Sequence, residues 1–185
     1  MTIPLRALRV IVVYFDGLCE PVNPGGIATY GFVVYRDGVR LAEGRGFAGA
    51  GFLGGVATNN VAEYTALIRA LEWLLDHELN GEELVVRGDS QLVVRQLQGV
   101  YAVRSERLVP LYRRARELLS HFPRYRLEWV PREENSEADA LSVEALLEFL
   151  RGHPEALEAY PGFRRRLEAL VKRCRQQEGG EKQGF

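Results

Sequence analysis

The hydrophobic and polar positions in the first third of the chain predict three strands. Residues 8–15, LRVIVVYF, form a short β-branched apolar run that is typical of a buried strand, which we expect to end at Asp16. Two further runs, IATYGFVVYR and VRLAEGRGF, flank the pair Asp37-Gly38, a strong signal for a two-residue hairpin turn. This part of the chain is therefore predicted to be an antiparallel meander.

Later positions alternate between helical and strand-like patterns. In order, they predict a helix from about residue 59 to 80, the strand ELVVRG, the helix QLVVRQLQG with Ser90 as its N-cap, a helix over 108–119, the strand YRLEWV and a last core helix. Strands that are connected through helices pair in parallel, with right-handed crossovers. The expected fold class is α/β, with a five-stranded mixed sheet flanked by helices.

The last part of the chain has the pattern of an appendage to this core. Glycine and proline residues interrupt the pattern over 152–162, and residues 163–177 could form a short helix rich in arginine and lysine. The final stretch, QEGGEKQGF, has the composition of a frayed tail. We therefore expect a core domain over residues 1–142 and a helical extension with a flexible tail over 143–185.

One charged residue, Glu63, heads the apolar side of the first predicted helix. Successive helical residues are about 100° apart. The apolar residues on the same side as Glu63 are Leu67, Ala70, Leu71 and Leu74. An unpartnered carboxylate is costly in apolar surroundings. Either the apolar stripe ends at water there, or a cation pairs with Glu63.

Three more carboxylates lie at the ends of predicted elements. Asp16 closes the first strand, Asp89 follows the fourth, and Asp139 begins the last core helix. Ligand sites in open α/β sheets form at such strand ends. Carboxylates brought together there would need a cation, and all-oxygen ligation favours Mg²⁺ or Mn²⁺. Each residue also has a structural interpretation, as a turn, a strand end or a first-turn helix residue, and spacing alone does not decide between the two.

Composition and charge exclude several classes of protein. The 185 residues are 46% hydrophobic and 26% charged, which is ordinary for a globular domain and excludes disorder of the whole chain. The net charge of -1 gives no global attraction to nucleic acid, so a polyanion would have to be held by local arginines or bound metal. No apolar run approaches the ~20 residues of a membrane span, and the N-terminus lacks the apolar core of a signal peptide. We expect a cytoplasmic protein.

Four motifs carry a resemblance to a known family. YFDGLCEPVNPGG, TNNVAEYTALIRAL, VVRGDSQLVVRQL and WVPREENSEADALS stand in the order and at the spacing found in ribonuclease H of type 1. Over residues 8–142 the chain resembles archaeal and bacterial members of that family. The resemblance implies an endonuclease that hydrolyses the RNA strand of RNA/DNA hybrids and leaves 5′-phosphate and 3′-hydroxyl ends. It also implies two Mg²⁺ or Mn²⁺ ions in the substrate complex, so that no protein nucleophile is required.

The resemblance also implies roles for individual residues. The metal-binding, catalytic carboxylates would be Asp16, Glu63, Asp89 and Asp139. The residues that match family contacts to the minor groove or a phosphate are Cys19, Asn23, Thr58, Asn59, Asn60 and Gln91. Short polar side chains suit the shallow minor groove of an A-like hybrid. Structural alternatives are that Asn59 caps the helix and that Cys19 is a small buried residue.

The chain departs from the family pattern in three places. The loop PREENSE lacks the histidine that many members carry, so proton transfer would fall to water at the metal, to Glu133 or Glu134, or to no specific residue. Some members have a lysine-rich protrusion where this chain has arginines over 104–116. These arginines could hold phosphates of the DNA strand or form a solvated helix face. For Arg113, Arg114 and Arg116 we favour the solvated face. The basic helix of the extension could grip the hybrid, brace the core or hang free, and we favour the brace.

Two other functions fit the same fold. A non-catalytic hybrid-binding module would be indicated by loss of Asp16 or Asp89, and both are present. Another nuclease or strand-transfer enzyme, such as a transposase or resolvase, is disfavoured by the small size and the TNN motif. The histidines lie outside all four motifs, where surface or structural roles are expected: His77, His121 and His153. We expect a monomer that binds RNA/DNA hybrid, with no membrane and no small-molecule cofactor.

Overall fold

The computed structural model describes residues 9–181, with side chains described for residues 9–176. Leu8, the expected first residue of the first strand, lies outside the described residues. Residues 182–185 of the expected frayed tail also lie outside the described residues. The first part of that tail, from residue 177, is not frayed, because its backbone continues the last helix to Glu181.

The five predicted strands form one mixed sheet. They are β1 (Val10–Glu20), β2 (Ile27–Arg36), β3 (Val39–Ala50), β4 (Glu83–Gly88) and β5 (Tyr125–Trp129). Their order is β3-β2-β1-β4-β5. The pairs β1–β2 and β2–β3 are antiparallel, while β1–β4 and β4–β5 are parallel. The α/β fold class and the five-stranded mixed sheet are thus confirmed.

Two short 3₁₀ helices, Gly51–Leu53 and Arg132–Asn135, and six α-helices complete the described structure. The α-helices are α1 (Asn59–Asp76), α2 (Gln91–Leu97), α3 (Val109–Ser120), α4 (Ser136–Gly152), α5 (Ala156–Ala159) and α6 (Phe163–Glu181). Thr58 caps α1, since its side-chain oxygen accepts a hydrogen bond from the Val61 amide at 3.1 Å. Ser90 caps α2 in the same way, as the sequence predicts. None of the described helices is long and apolar enough to cross a membrane.

The first strand does not end at Asp16, contrary to the sequence-based expectation. It continues to Glu20, and Asp16 pairs with Gly31 in the middle of the β1–β2 ladder. The physical reason is that pairing with β2 supplies the hydrogen bonds of this stretch, although the Asp-Gly pair is a common turn signal. The other Asp-Gly pair does form the expected hairpin turn, with φ of 50° at Asp37 and 78° at Gly38.

The two faces of the sheet carry separate hydrophobic cores. One face is covered by α1, α2 and α3, and its core includes Phe15, Tyr64 and Leu119. The other face is covered by α4, α5 and α6, and its core includes Leu146 and Phe163. The extension is therefore packed on the core rather than hanging free. The expected division at residue 142 lies within α4, and it stays a prediction.

Candidate active site

A close contact between β1 and α1 brings Asp16 and Glu63 together. A Cβ on Gly17 would lie 2.2 Å from the backbone nitrogen of Glu63 and 2.8 Å from the Cβ of Ala62. Only glycine allows the first turn of α1 to pack this closely against the strand. Both neighbouring carboxylates are buried, with relative exposures of 5% for Asp16 and 2% for Glu63.

The sheet register and α4 add the other two carboxylates. Asp89 follows Gly88, which pairs in parallel with Phe15, so Asp16 and Asp89 leave the paired segments of β1 and β4 side by side. On the opposite face, α4 lies so near β2 that a Cβ on Gly31 would be 2.6 Å from the Ala138 carbonyl oxygen. Asp139, the next residue, is only 1% exposed.

Three of the four carboxylates form a compact group. One oxygen each from Asp16, Glu63 and Asp89 lies within 4.8 Å of the others. Asp139 lines the same cavity, of about 350 Å³, but its oxygens do not join the three. The structure thus places all four predicted residues in one cavity and separates them into a cluster of three and one neighbour.

Burial and mutual repulsion raise the pKa values of the clustered carboxyls. Burial and then the charges of Glu63, Asp89 and Asp139 hold the pKa of Asp16 well above its ordinary value. The pKa of Glu63 is likewise raised well above its ordinary value, first by burial and then by Asp89. Burial raises the pKa of Asp89 too, although Arg132 opposes this. Such a group favours either protons or a cation.

The chemistry of the cluster fits a divalent cation. Its donors are all carboxylate oxygens, which Mg²⁺ and Mn²⁺ prefer. One oxygen of Glu63, Oε2, is buried and has no hydrogen-bond partner among the described residues. A buried carboxylate oxygen without a partner is costly, and a cation at the cluster would provide one. The interpretation that the stripe of α1 ends at water is therefore wrong for Glu63.

Arginines that the sequence analysis did not place at the site lie around Asp139. Arg132 Nη2 donates to Asp139 Oδ1 at 3.2 Å, and Arg173 Nη2 donates to Oδ1 at 3.1 Å and to Oδ2 at 3.2 Å. Nearby, Arg166 donates to both carboxylate oxygens of Glu20 at 2.8 Å. One sequence feature could have indicated this arrangement. Arg166 and Arg173 are seven residues apart, which puts them on one side of a helix.

The predicted substrate contacts lie around the same end of the sheet. Cys19 and Asn59 line the carboxylate cavity. Asn23 Oδ1 accepts a hydrogen bond from the Asn59 amide at 3.0 Å, which ties the loop after β1 to the start of α1. Asn60 and Gln91 stand in the first turns of α1 and α2.

The structure bears on the two structural interpretations, helix capping by Asn59 and burial of Cys19. The cap of α1 is Thr58, so capping does not account for the Asn59 side chain. Cys19 is 7% exposed and packs with Ala28, Ala57 and Ala62, and its thiol donates to the Val22 carbonyl at 3.3 Å. Cys19 is therefore a small buried residue that also borders the cavity. Burial raises the pKa of its thiol.

Other charged candidates lie elsewhere. Glu133 and Glu134 are exposed and line a different cavity, of about 330 Å³. Arg114 pairs with Glu72 at 3.2 Å and with Glu117 at 3.0 Å on the α3 surface, in the manner of a solvated helix face. The histidines are absent from the residues that line the carboxylate cavity.

The fold and the site define the chain as an α/β protein with a buried carboxylate site at one end of a mixed sheet. The profile of the reverse transcriptase-like family matches residues 16–145. The chain belongs to that family and, within it, to the ribonuclease H type 1 proteins.

Particular relatives support this assignment. The chain is 46% identical over 133 residues to Ribonuclease HI of Halobacterium salinarum, covering 72% of this chain but 62% of that protein. The crystal structure of RNase H1 from H. salinarum is 42% identical, with a TM-score of 0.66, covering 75% of this chain and 98% of that chain. LC11-RNase H1 in complex with an RNA/DNA hybrid is 38% identical, with a TM-score of 0.67, covering 76% and 99%.

Proposed function

We propose that this chain is an endoribonuclease that hydrolyses the RNA strand of RNA/DNA hybrids. It would work with two Mg²⁺ or Mn²⁺ ions in the substrate complex and leave 5′-phosphate and 3′-hydroxyl ends. The observation that carries the proposal is the cluster of Asp16, Glu63 and Asp89, whose oxygens lie within 4.8 Å of one another beside Asp139. Membership of the ribonuclease H type 1 proteins supports the same conclusion.

The four carboxylates would hold the ions. When bound, divalent cations supply activation of water and stabilisation of the charge on the leaving oxygen. The fold of the chain would hold the carboxylate ligands in position. The backbone of β1 holds Asp16, the tight contact at Gly17 sets Glu63 against it, and the end of β4 presents Asp89.

Asn135 supports this arrangement from the loop before α4. Its side-chain amide donates to the Phe15 carbonyl oxygen at 2.9 Å, and it is 1% exposed. Its hydrogen bond to the Asp89 side chain lowers the pKa of that carboxyl, against the effect of burial. Asn135 would thus keep β1, Asp89 and the start of α4 in register.

Hybrid recognition would fall to the polar residues beside the cavity. Asn59 and Asn60 would contact bases in the minor groove, with Thr58 near a phosphate and Cys19, Asn23 and Gln91 as further contacts. Their support is that Asn59 and Cys19 line the carboxylate cavity and that Asn23 bonds to the Asn59 amide. A shallow minor groove with 2′-hydroxyls is accessible to side chains of this length. We further propose that the protein acts as a cytoplasmic monomer.

A panel of end-labelled substrates tests the proposal. RNA/DNA hybrid, double-stranded RNA, double-stranded DNA and single strands are incubated with Mg²⁺, with Mn²⁺ and with chelator. The proposal predicts cleavage of the hybrid's RNA strand with at least one of the two metals and none in chelator. Survival of the hybrid with both metals, or equal cleavage in chelator, would reject it. Hybrid binding without cleavage would instead indicate a non-catalytic module.

A further inference from the structure

The C-terminal helix α6 is anchored beside the carboxylate cavity by an apolar stripe. The stripe consists of Phe163, Leu167, Leu170 and Cys174, which pack with residues of α4 and of β1, β2 and β3 in the second core. Phe163 is fully buried and Leu170 is 3% exposed. The spacing of these residues is that of one helix face. Because this face is anchored, the position of the neighbouring face relative to the site is fixed as well.

That neighbouring face carries two arginines to the edge of the site. Arg166 makes a two-pronged ion pair with Glu20, at the end of β1, with both distances 2.8 Å. Two helical turns later, Arg173 reaches both oxygens of Asp139, at 3.1 and 3.2 Å. Both arginines line the carboxylate cavity. The Arg166 pair holds the helix in register, and among the described side chains of this helix Arg173 contacts a proposed metal ligand.

The contact engages the Asp139 oxygens that a cation would need. Oδ1 also accepts a hydrogen bond from Arg132, at 3.2 Å, and Asp139 is 1% exposed. Lone pairs directed at guanidinium groups are not available to a divalent ion. The Asp139 side chain also contacts Asp16 through a hydrogen bond, so it borders the cluster of Asp16, Glu63 and Asp89 while the arginines engage its oxygens.

The Arg173–Asp139 contact also has features that favour its release. The Arg173 side chain is 36% exposed, so it has room to move, whereas Asp139 does not. Arg173 Nε is buried without a hydrogen-bond partner among the described residues, so the contact leaves one donor of the guanidinium unsatisfied. A divalent cation beside Asp139 would repel the Arg173 charge and compete for the same oxygens.

We propose that Arg173 is a positioning residue that holds Asp139 before metal binds and gives it up when metal binds. Asp139 then passes from the guanidinium to the cation. The extension would thereby set the metal affinity of the site. This inference rests on the metal site of the proposed function, and it concerns residues of α6 that lie outside the match to the family profile.

Calorimetric titration of Mn²⁺ into the protein, without nucleic acid, tests the inference. Because Arg173→Ala removes a cation that competes for the Asp139 oxygens, the variant should bind Mn²⁺ about tenfold more tightly, which corresponds to about 1.4 kcal/mol. Arg173→Lys keeps the charge and should stay near the parent affinity. The matched control is Arg165→Ala, an exposed arginine of the same helix outside the cavity lining, which should leave the affinity unchanged.

Unchanged or weaker Mn²⁺ binding by Arg173→Ala would overturn the inference, and so would absence of binding to both proteins. An equal gain in Arg165→Ala would also overturn it, because the effect would then be one of total charge. Circular dichroism checks folding, and Arg173→Gln, which removes the charge but keeps a long polar side chain, is the second variant and should show a gain in affinity if the alanine protein is unfolded. The titration contains no hybrid, so failure of the hydrolysis assay and failure of this test are distinguishable.

Discussion

Gly17 and Glu63 meet so closely that a Cβ on the glycine would lie 2.2 Å from the glutamate's backbone nitrogen. This contact sets the distance between Asp16, the residue before the glycine, and the Glu63 carboxylate. The cluster therefore depends on a residue without a side chain. That makes Gly17 a direct target for testing how the site is assembled.

We expect Gly17→Ala to destabilise the protein by about 1 to 3 kcal/mol, the usual cost of forcing extra atoms into a packed contact. The first turn of α1 would have to move away from β1, so Mn²⁺ binding should weaken as well. Urea unfolding and calorimetry measure the two effects. The control is Gly81→Ala, because an added Cβ there meets nothing within 4 Å. Equal behaviour of the two variants would show that the contact is not needed.

A second prediction concerns the pH dependence of stability in chelator. The raised pKa values mean that Asp16 and Glu63 keep protons in the folded state at pH values where the unfolded chain has lost them. Because the folded state then binds more protons, the free energy of unfolding falls as pH rises above about 4. This loss of stability continues until the pH reaches the raised pKa values of the folded state.

Removing one of these carboxylates should reverse part of the loss. At pH 7 in chelator, Asp16→Asn should be more stable than the parent by about 1 to 3 kcal/mol, with the difference vanishing below about pH 4. Comparing the two proteins cancels the titration of the remaining carboxylates. Urea unfolding at several pH values measures this. A less stable Asp16→Asn protein at pH 7 would contradict the burial and repulsion described for Asp16.

A third prediction separates recognition from helix capping. Replacing Asn59 and Asn60 together by alanine should raise KM for hybrid about tenfold, with kcat changed by less than about twofold, since uniform binding would be lost. Steady-state kinetics measures both constants. Thermal stability should change little, because Thr58 caps the helix.

Thr58 provides the matched comparison. Thr58→Ala should cost about 1 kcal/mol of stability through loss of the cap, and Thr58→Ser should retain it. If the double asparagine variant loses stability instead and keeps its KM, the asparagines are structural and their proposed role in the minor groove is wrong.

Local sequence signals predicted most of the elements. β4 coincides with the run ELVVRG. That run is short and largely apolar, and Asp89 follows its last residue, so its own sequence marks where the strand ends. The hairpin at Asp37-Gly38 follows from local turn chemistry. By contrast, the extension of β1 through Asp16 depends on pairing with β2, which a strand's own sequence does not specify.

The site was predicted unevenly for a related reason. Helical periodicity showed that Glu63 lies on the apolar side of its helix, and the ends of predicted elements singled out the other three carboxylates. The family motifs then favoured a metal-binding role over a structural one for all four. The contact of Arg173 with Asp139 joins residues 34 positions apart in sequence. It requires α6 to dock on α4 in one register, and this register is set by packing outside the family motifs. Composition alone showed only a basic helix.

Cleavage of end-labelled RNA/DNA hybrid by the parent and by Asp16→Asn, with Mn²⁺ present, tests the central claim most directly. The account predicts that the parent cuts the RNA strand and leaves 5′-phosphate and 3′-hydroxyl ends. The folded variant should cut at least about a thousandfold more slowly, because a ligand of the catalytic metals is lost. Cleavage by Asp16→Asn at the parent rate, or cleavage by neither protein, would contradict the account.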